Sequence, residues 1–153
     1  MRRTSLLYGL LLALALPACA SLELPPGHPI GDQIETQEVL RFSVVDASPS
    51  AYFDRTLLVE AEAIQVCQVG HCWMQIKDGE STAMVRWDTG CGGEYSFPDS
   101  AVGKTVIIQG TFYPVDLTEY EREHLVEESG GTLVLREDPY EFNATGILIV
   151  ADD

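Results

Sequence analysis

Apolar and polar positions alternate in short runs, set apart by turn residues, from residue 56 almost to the C-terminus. Residues 56–67 start apolar and then alternate, so a two-residue period puts Glu60, Glu62, Ile64 and Val66 on one face of a first strand. Residues 71–76 form a second strand ending at the Lys77-Asp78-Gly79 turn, and residues 82–87 a third. Residues 104–113 and 142–150 supply the fourth and fifth. Gly110 and Gly146 fall inside these last two apolar runs, where a glycine marks a bulge or a barrel bend. Another strand is expected at residues 39–45.

Helical patterning is sparse. Residues 98–102 allow one turn before Gly103. Residues 116–129 form the better helix: Thr118 can cap it, Glu121 completes a capping box and Gly130-Gly131 ends it. Leu117, Tyr120, His124 and Val126 are its candidates for an inward face. Five strands with glycine bends and one or two short helices predict an all-β fold, a small five-stranded barrel of the oligonucleotide/oligosaccharide-binding (OB) type.

The first residues follow a different rule. Arg2 and Arg3 precede a Leu/Ala-rich run over residues 6–16, too short to span a bilayer comfortably, and then Pro17-Ala18-Cys19-Ala20. This is the pattern of an export signal. Leu16-Pro17-Ala18-Cys19 fits a bacterial lipobox, with Cys19 the lipidated residue. Ala18-Cys19-Ala20 also fits ordinary cleavage, which would discard that cysteine. The favoured division is a lipoprotein-type signal over 1–18, a Pro/Gly-rich tether over 19–38 and one barrel domain over 39–153. That division implies a membrane partner through the lipid anchor, on the periplasmic side of a bacterial envelope. With no Asp after Cys19, the outer membrane is the expected address.

Charge narrows the partners. The chain has 24 acidic and 9 basic residues, a net charge of −15. Such a surface repels phosphate backbones, so nucleic acid is not an expected partner despite the OB-like pattern. No Gly-x-Ser-x-Gly elbow or Gly-rich phosphate loop appears, and the crowded glutamates of residues 119–128 read as a solvated face. The chain is therefore not expected to be an enzyme.

The remaining chemistry is concentrated in Cys67-Gln68-Val69-Gly70-His71-Cys72-Trp73-Met74. If the first two strands form a hairpin, Cys67 and Cys72 lie across from each other with Cβ atoms about 4.5–5.5 Å apart. A disulfide needs about 3.8 Å, a small adjustment. In an oxidising compartment the pair closes such a bridge unless something binds the thiols. Bound thiolates would select Cu(I), with Zn(II) as competitor. Strand alternation puts Met74 on the face of Cys72, with His71 and Trp73 opposite. Cys91, between glycines in a polar loop, reads as a spare thiol, an intermolecular linker or a third ligand. The two-residue spacing of thiol oxidoreductases is absent from the sequence.

Val66-Cys67-Gln68, Cys72-Trp73-Met74, Phe97-Pro98, Gly103-Lys104-Thr105-Val106 and Ala144-Thr145-Gly146-Ile147, in this order, resemble a family of small exported bacterial proteins known as domain of unknown function 4920. The resemblance covers residues 55–150. It departs at His71, which separates Gly70 from the second cysteine, and at residues 89–94, which read as an insertion. It implies an exported OB-like domain and makes His124 the distant partner of the cysteine block. The leading expectation is an envelope binding module with a Cu or Zn site at Cys67, Cys72 and His124, with Met74 nearby. The rival is a structural or adaptor barrel stapled by a Cys67–Cys72 disulfide, meeting an envelope protein partner without metal or catalysis.

Overall fold

A computed structural model describes residues 23–35 and 38–152. The signal segment and Cys19 lie outside the described residues. Seven strands and two short helices follow in the order β1 (Gly27–Gly31), β2 (Val39–Arg41), α1 (Phe42–Asp46), β3 (Thr56–Val66), β4 (Trp73–Asp78), β5 (Ser81–Trp87), β6 (Thr105–Pro114), α2 (Glu119–Glu128) and β7 (Tyr140–Val150). Single 3₁₀ turns occur at Pro49–Ala51 and Asp99–Ala101.

Five strands close the barrel. β3, β4 and β5 form an antiparallel meander. β5 pairs parallel with β7, β7 antiparallel with β6, and β6 antiparallel with β3. Circling the wall therefore meets β3, β4, β5, β7 and β6 before β3 returns: a small, mostly β, OB-like barrel.

The interior follows the two-residue period with two phase shifts. On β3, Leu57, Val59, Ala61 and Ala63 point inward, so Glu60 and Glu62 point out as alternation predicts. The ladder to β4 then slips at Ile64, because Ala63 pairs with Ile76 and Gln65 with Gln75. This bulge turns Val66 inward and corrects the expectation that it shares the face of the glutamates. On β7 the extra residue is Thr145: Gln109 faces Gly146, and Gly110 faces Ala144. Gly110 is at this bulge, as its position in the run implied. A Cβ there would approach the Asn143 carbonyl oxygen to 2.5 Å. Phe42, Phe112 and Phe142 meet in the core, with Phe42 edge-on to the other two.

The N-terminal arm is part of this structure. Residues 19–38 were expected to be a tether, but β1 within them pairs antiparallel with β7 over residues 146–150. β5 occupies that edge of β7 only over residues 141–144, so β1 closes the rest of the seam. β2 does the same beside β3, parallel over residues 58–60, where β4 has not yet joined. A strand over all of 39–45 is also corrected. The chain turns into α1 at Phe42, where Phe42 and Val45 plug the barrel end. Asp78 secures that turn: it takes bonds from the Arg41 guanidinium and from the backbone N–H and hydroxyl of Ser43. Its bond to Arg41, and then those to Ser43, hold its carboxyl well below the usual carboxylate range against the opposing effect of burial.

Candidate functional site

The outer wall carries two separate apolar patches. Leu58, Ile107 and Leu148, on β3, β6 and β7, are covered by Leu24, Ile34 and Val39 of the N-terminal arm. Cys67, Cys72, Trp73 and Met84, at the open end of β4 and β5, are covered by Leu125 and Leu133 from the segment between β6 and β7.

The covering segment begins with the capping box read from the sequence. Thr118 Oγ1 accepts from Glu121 N–H, and Glu121 Oε2 accepts from Thr118 N–H at 2.8 Å. The inward residue of α2 is Leu125, with Leu117 and Val126 partly buried beside it. Tyr120 is exposed, and so is His124, which corrects the expected inner face. Polar bonds lock the segment down. Trp73 Nε1 donates to Glu128 Oε2 at 2.8 Å, Gln68 N–H to the Glu128 carbonyl at 3.0 Å, and Gln75 Nε2 to the Val134 carbonyl at 3.0 Å. Farther along, Arg136 reaches Asp46 at 2.6 Å and packs over Tyr140.

In OB barrels the outer face of the second and third strands, with the loops after the first and fourth, takes the ligand. Here these are β4, β5, the cysteine turn at residues 67–72 and the 115–139 segment. The chain fills the Trp73 end of this face with its own side chains. What stays open is a shallow groove of about 530 Å³ beyond Gln75, edged by Ile64, Lys77, Thr82, Val134 and Arg136. An ion pair joins β5 to β7: Arg86 Nε donates to Glu141 Oε2 at 2.9 Å, and Tyr113 Oη on β6 donates to Glu141 Oε1 at 2.6 Å. Burial, then the bond to Glu141, raises the Tyr113 phenol well above its ordinary value.

The cysteines do not pair as the hairpin spacing suggested. Cys72 is bonded to Cys91, with Cα atoms 4.8 Å apart, and Cys67 is a free, fully buried thiol. The reason is local geometry. β4 starts at Trp73, so Cys72 precedes the strand, and His71 takes a left-handed conformation (φ +52°) that redirects the chain. Trp73 faces Arg86 across the β4–β5 ladder, which brings Cys72 beside Trp87. Gly90 (φ +71°) then lets the following loop fold Cys91 back onto it. A hydrogen bond from Phe97 N–H to the His71 carbonyl at 2.8 Å closes the same rim. Counting the register back from the Gly79 turn puts Cys72 opposite Trp87, at the start of the loop that carries Cys91, and is the signal the sequence offered.

The four side chains of the expected metal set are not gathered. Cys72 is in the disulfide. Met74 points into the barrel, while Cys67, Cys72 and Trp73 share the outer cluster. His124 lies on the exposed side of α2, its Nε2 3.4 Å from Glu128 Oε1. Among the described residues, no three His, Cys, Asp or Glu side chains come together to hold a metal ion.

No family model matches the chain, and no curated protein matches it. Solved structures do. A "putative aspartyl-tRNA synthetase from Leishmania major Friedlin" aligns over 79% of this chain at 12% identity and a TM-score of 0.52. The aspartyl-tRNA synthetase of Entamoeba histolytica aligns over 86% at 12% identity and a TM-score of 0.39. The chain spans 22% of the first protein's length and 29% of the second's. At this identity the first likeness shows a shared fold alone.

Proposed function

We propose that this chain is a structural or adaptor barrel of a bacterial envelope, held by its disulfide and free of catalysis and resident metal. The observation that carries the reading is the covered face. Leu125 and Leu133 sit on Trp73 and Met84 where an OB barrel would take a ligand, and the adjoining cysteine rim is closed by Cys72–Cys91. The disulfide supports an oxidising compartment, and the signal pattern, with Cys19 as the lipidated residue, supports a membrane anchor. A net charge of −15 speaks against nucleic acid, leaving an envelope protein as the partner class. The ordered motif residues from Val66 to Ile147 support placement in the exported family of unknown function named above.

The rival soft-metal reading is separable from this one. Protein purified without oxygen, mixed with Cu(I) or Zn(II) and desalted, is expected to retain no stoichiometric metal. Retention of about one equivalent, lost in Cys72→Ser, would establish the metal site instead.

A further inference from the structure

Cys72 has two cysteine neighbours of different kinds: Cys91, to which it is bonded, and the free thiol of Cys67. Cys67 is fully buried in the same cluster as Cys72, the middle member of the trio. The backbone holds the two close: Cys67 N–H donates to the Trp73 carbonyl at 3.0 Å, so Cys67 lies across from the residue next to Cys72. Both sulfurs border Gly70. Its N–H donates to Cys67 Sγ at 3.3 Å, and Cys72 Sγ would lie 3.7 Å from a Cβ built on it. Cys91 stands apart: it is exposed, on a loop where Gly90 and Gly92 take positive φ.

From this geometry we infer that the rim is an intramolecular thiol–disulfide exchange site, in which Cys67 displaces Cys91 from Cys72 and frees Cys91 to take up an external disulfide. Deprotonated Cys67 Sγ attacks Cys72 Sγ, the Cys67–Cys72 bond forms, the Cys72–Cys91 bond breaks, and the electron pair leaves on Cys91 Sγ. Cys91 thiolate then attacks one sulfur of the external disulfide, forming a mixed disulfide and releasing the other half as a thiolate. The proton lost by Cys67 ends on that released thiol. One disulfide is consumed and one formed at each step, and the external disulfide is the only oxidant required.

The arrangement sets the direction. Burial keeps external disulfides from Cys67 and leaves Cys72 as its only disulfide neighbour among the described residues. The structure holds the Cys72–Cys91 bridge and leaves Cys67 free. That bridge is therefore the resting form, and capture of Cys91 draws the exchange forward. The inference rests on the three cysteines and stands whether or not the adaptor reading does.

Oxidised glutathione is a suitable probe. The folded full-length chain, carrying Cys19→Ser to remove the unrelated thiol, is incubated with it near pH 8, quenched in acid and mapped without reduction. The expected product has glutathione on Cys91 and a new Cys67–Cys72 bridge. In Cys67→Ala, adduct formation at Cys91 should slow by at least about tenfold. An adduct on Cys67 with Cys72–Cys91 intact, or no adduct, overturns the inference. Cys91→Ser gives an independent reading. When it is reduced, refolded and oxidised in air, the inference expects a Cys67–Cys72 bridge; two free thiols in folded protein would refute it.

Discussion

The two covers on the barrel wall are held by different means. The N-terminal arm is fastened by backbone: β1 and β2 complete ladders that the five barrel strands leave open, and Asp78 pins the turn that follows. The segment between β6 and β7 adds no strand over its cover. It is fastened mainly by side chains, Leu125, Leu133 and the Trp73–Glu128 bond, with a backbone bond from Gln68 to Glu128 beside them. A cover that shares the sheet's hydrogen bonds opens only with the barrel, whereas one held by side chains can open alone. The ligand-type face and the cysteine rim lie under the second kind.

Substitutions can break this comparison. The largest effect is expected from Trp73→Ala, which empties a fully buried site under the side-chain cover and should cost about 4 kcal/mol in chemical denaturation. Asp78→Asn loosens the arm and should cost about 3 kcal/mol at neutral pH. This cost depends on pH in a definite direction. The folded Asp78 carboxyl titrates below its unfolded value, so its contribution is complete above about pH 4 and fades as the pH falls further. The gap between wild type and Asp78→Asn should accordingly shrink in acid.

Gly146→Ala sharpens the contrast at about 2 kcal/mol. Its Cβ would approach the Asp32 carbonyl oxygen to 2.5 Å, so amide exchange should rise in β1 and stay unchanged in α2. Glu128→Ala should do the reverse at about 1.5 kcal/mol, leaving Trp73 Nε1 without its acceptor and raising exchange in α2 alone. Equal exchange in both covers for either variant would remove the distinction.

The barrel was legible in the sequence because the wall strands turn alternate residues inward, and Gly110 marked its bulge as an internal glycine should. Two features were not legible. The arm reads as a tether because Pro25, Pro26, Gly27 and Pro29 lack strand patterning. β1 exists because β7 offers an unpaired edge, which depends on where β5 stops. The phase slip at Ile64 breaks a two-residue period without any glycine to announce it. At the candidate site, the concentration of chemistry around Cys67 and Cys72 was visible, and so was the capping box of α2. Spacing along the chain nevertheless favoured the nearer cysteine, whereas the β4–β5 register brings the distant Cys91 to Cys72. Alternation placed Met74 with Cys72 because it assumed that the strand began before Trp73.

The disulfide map tests the account most directly. Protein exported to an oxidising compartment, quenched in acid and digested without reduction, should yield a Cys72–Cys91 peptide and an unmodified Cys67 thiol. A Cys67–Cys72 peptide in the resting protein, or three free thiols accompanied by bound metal, would contradict it.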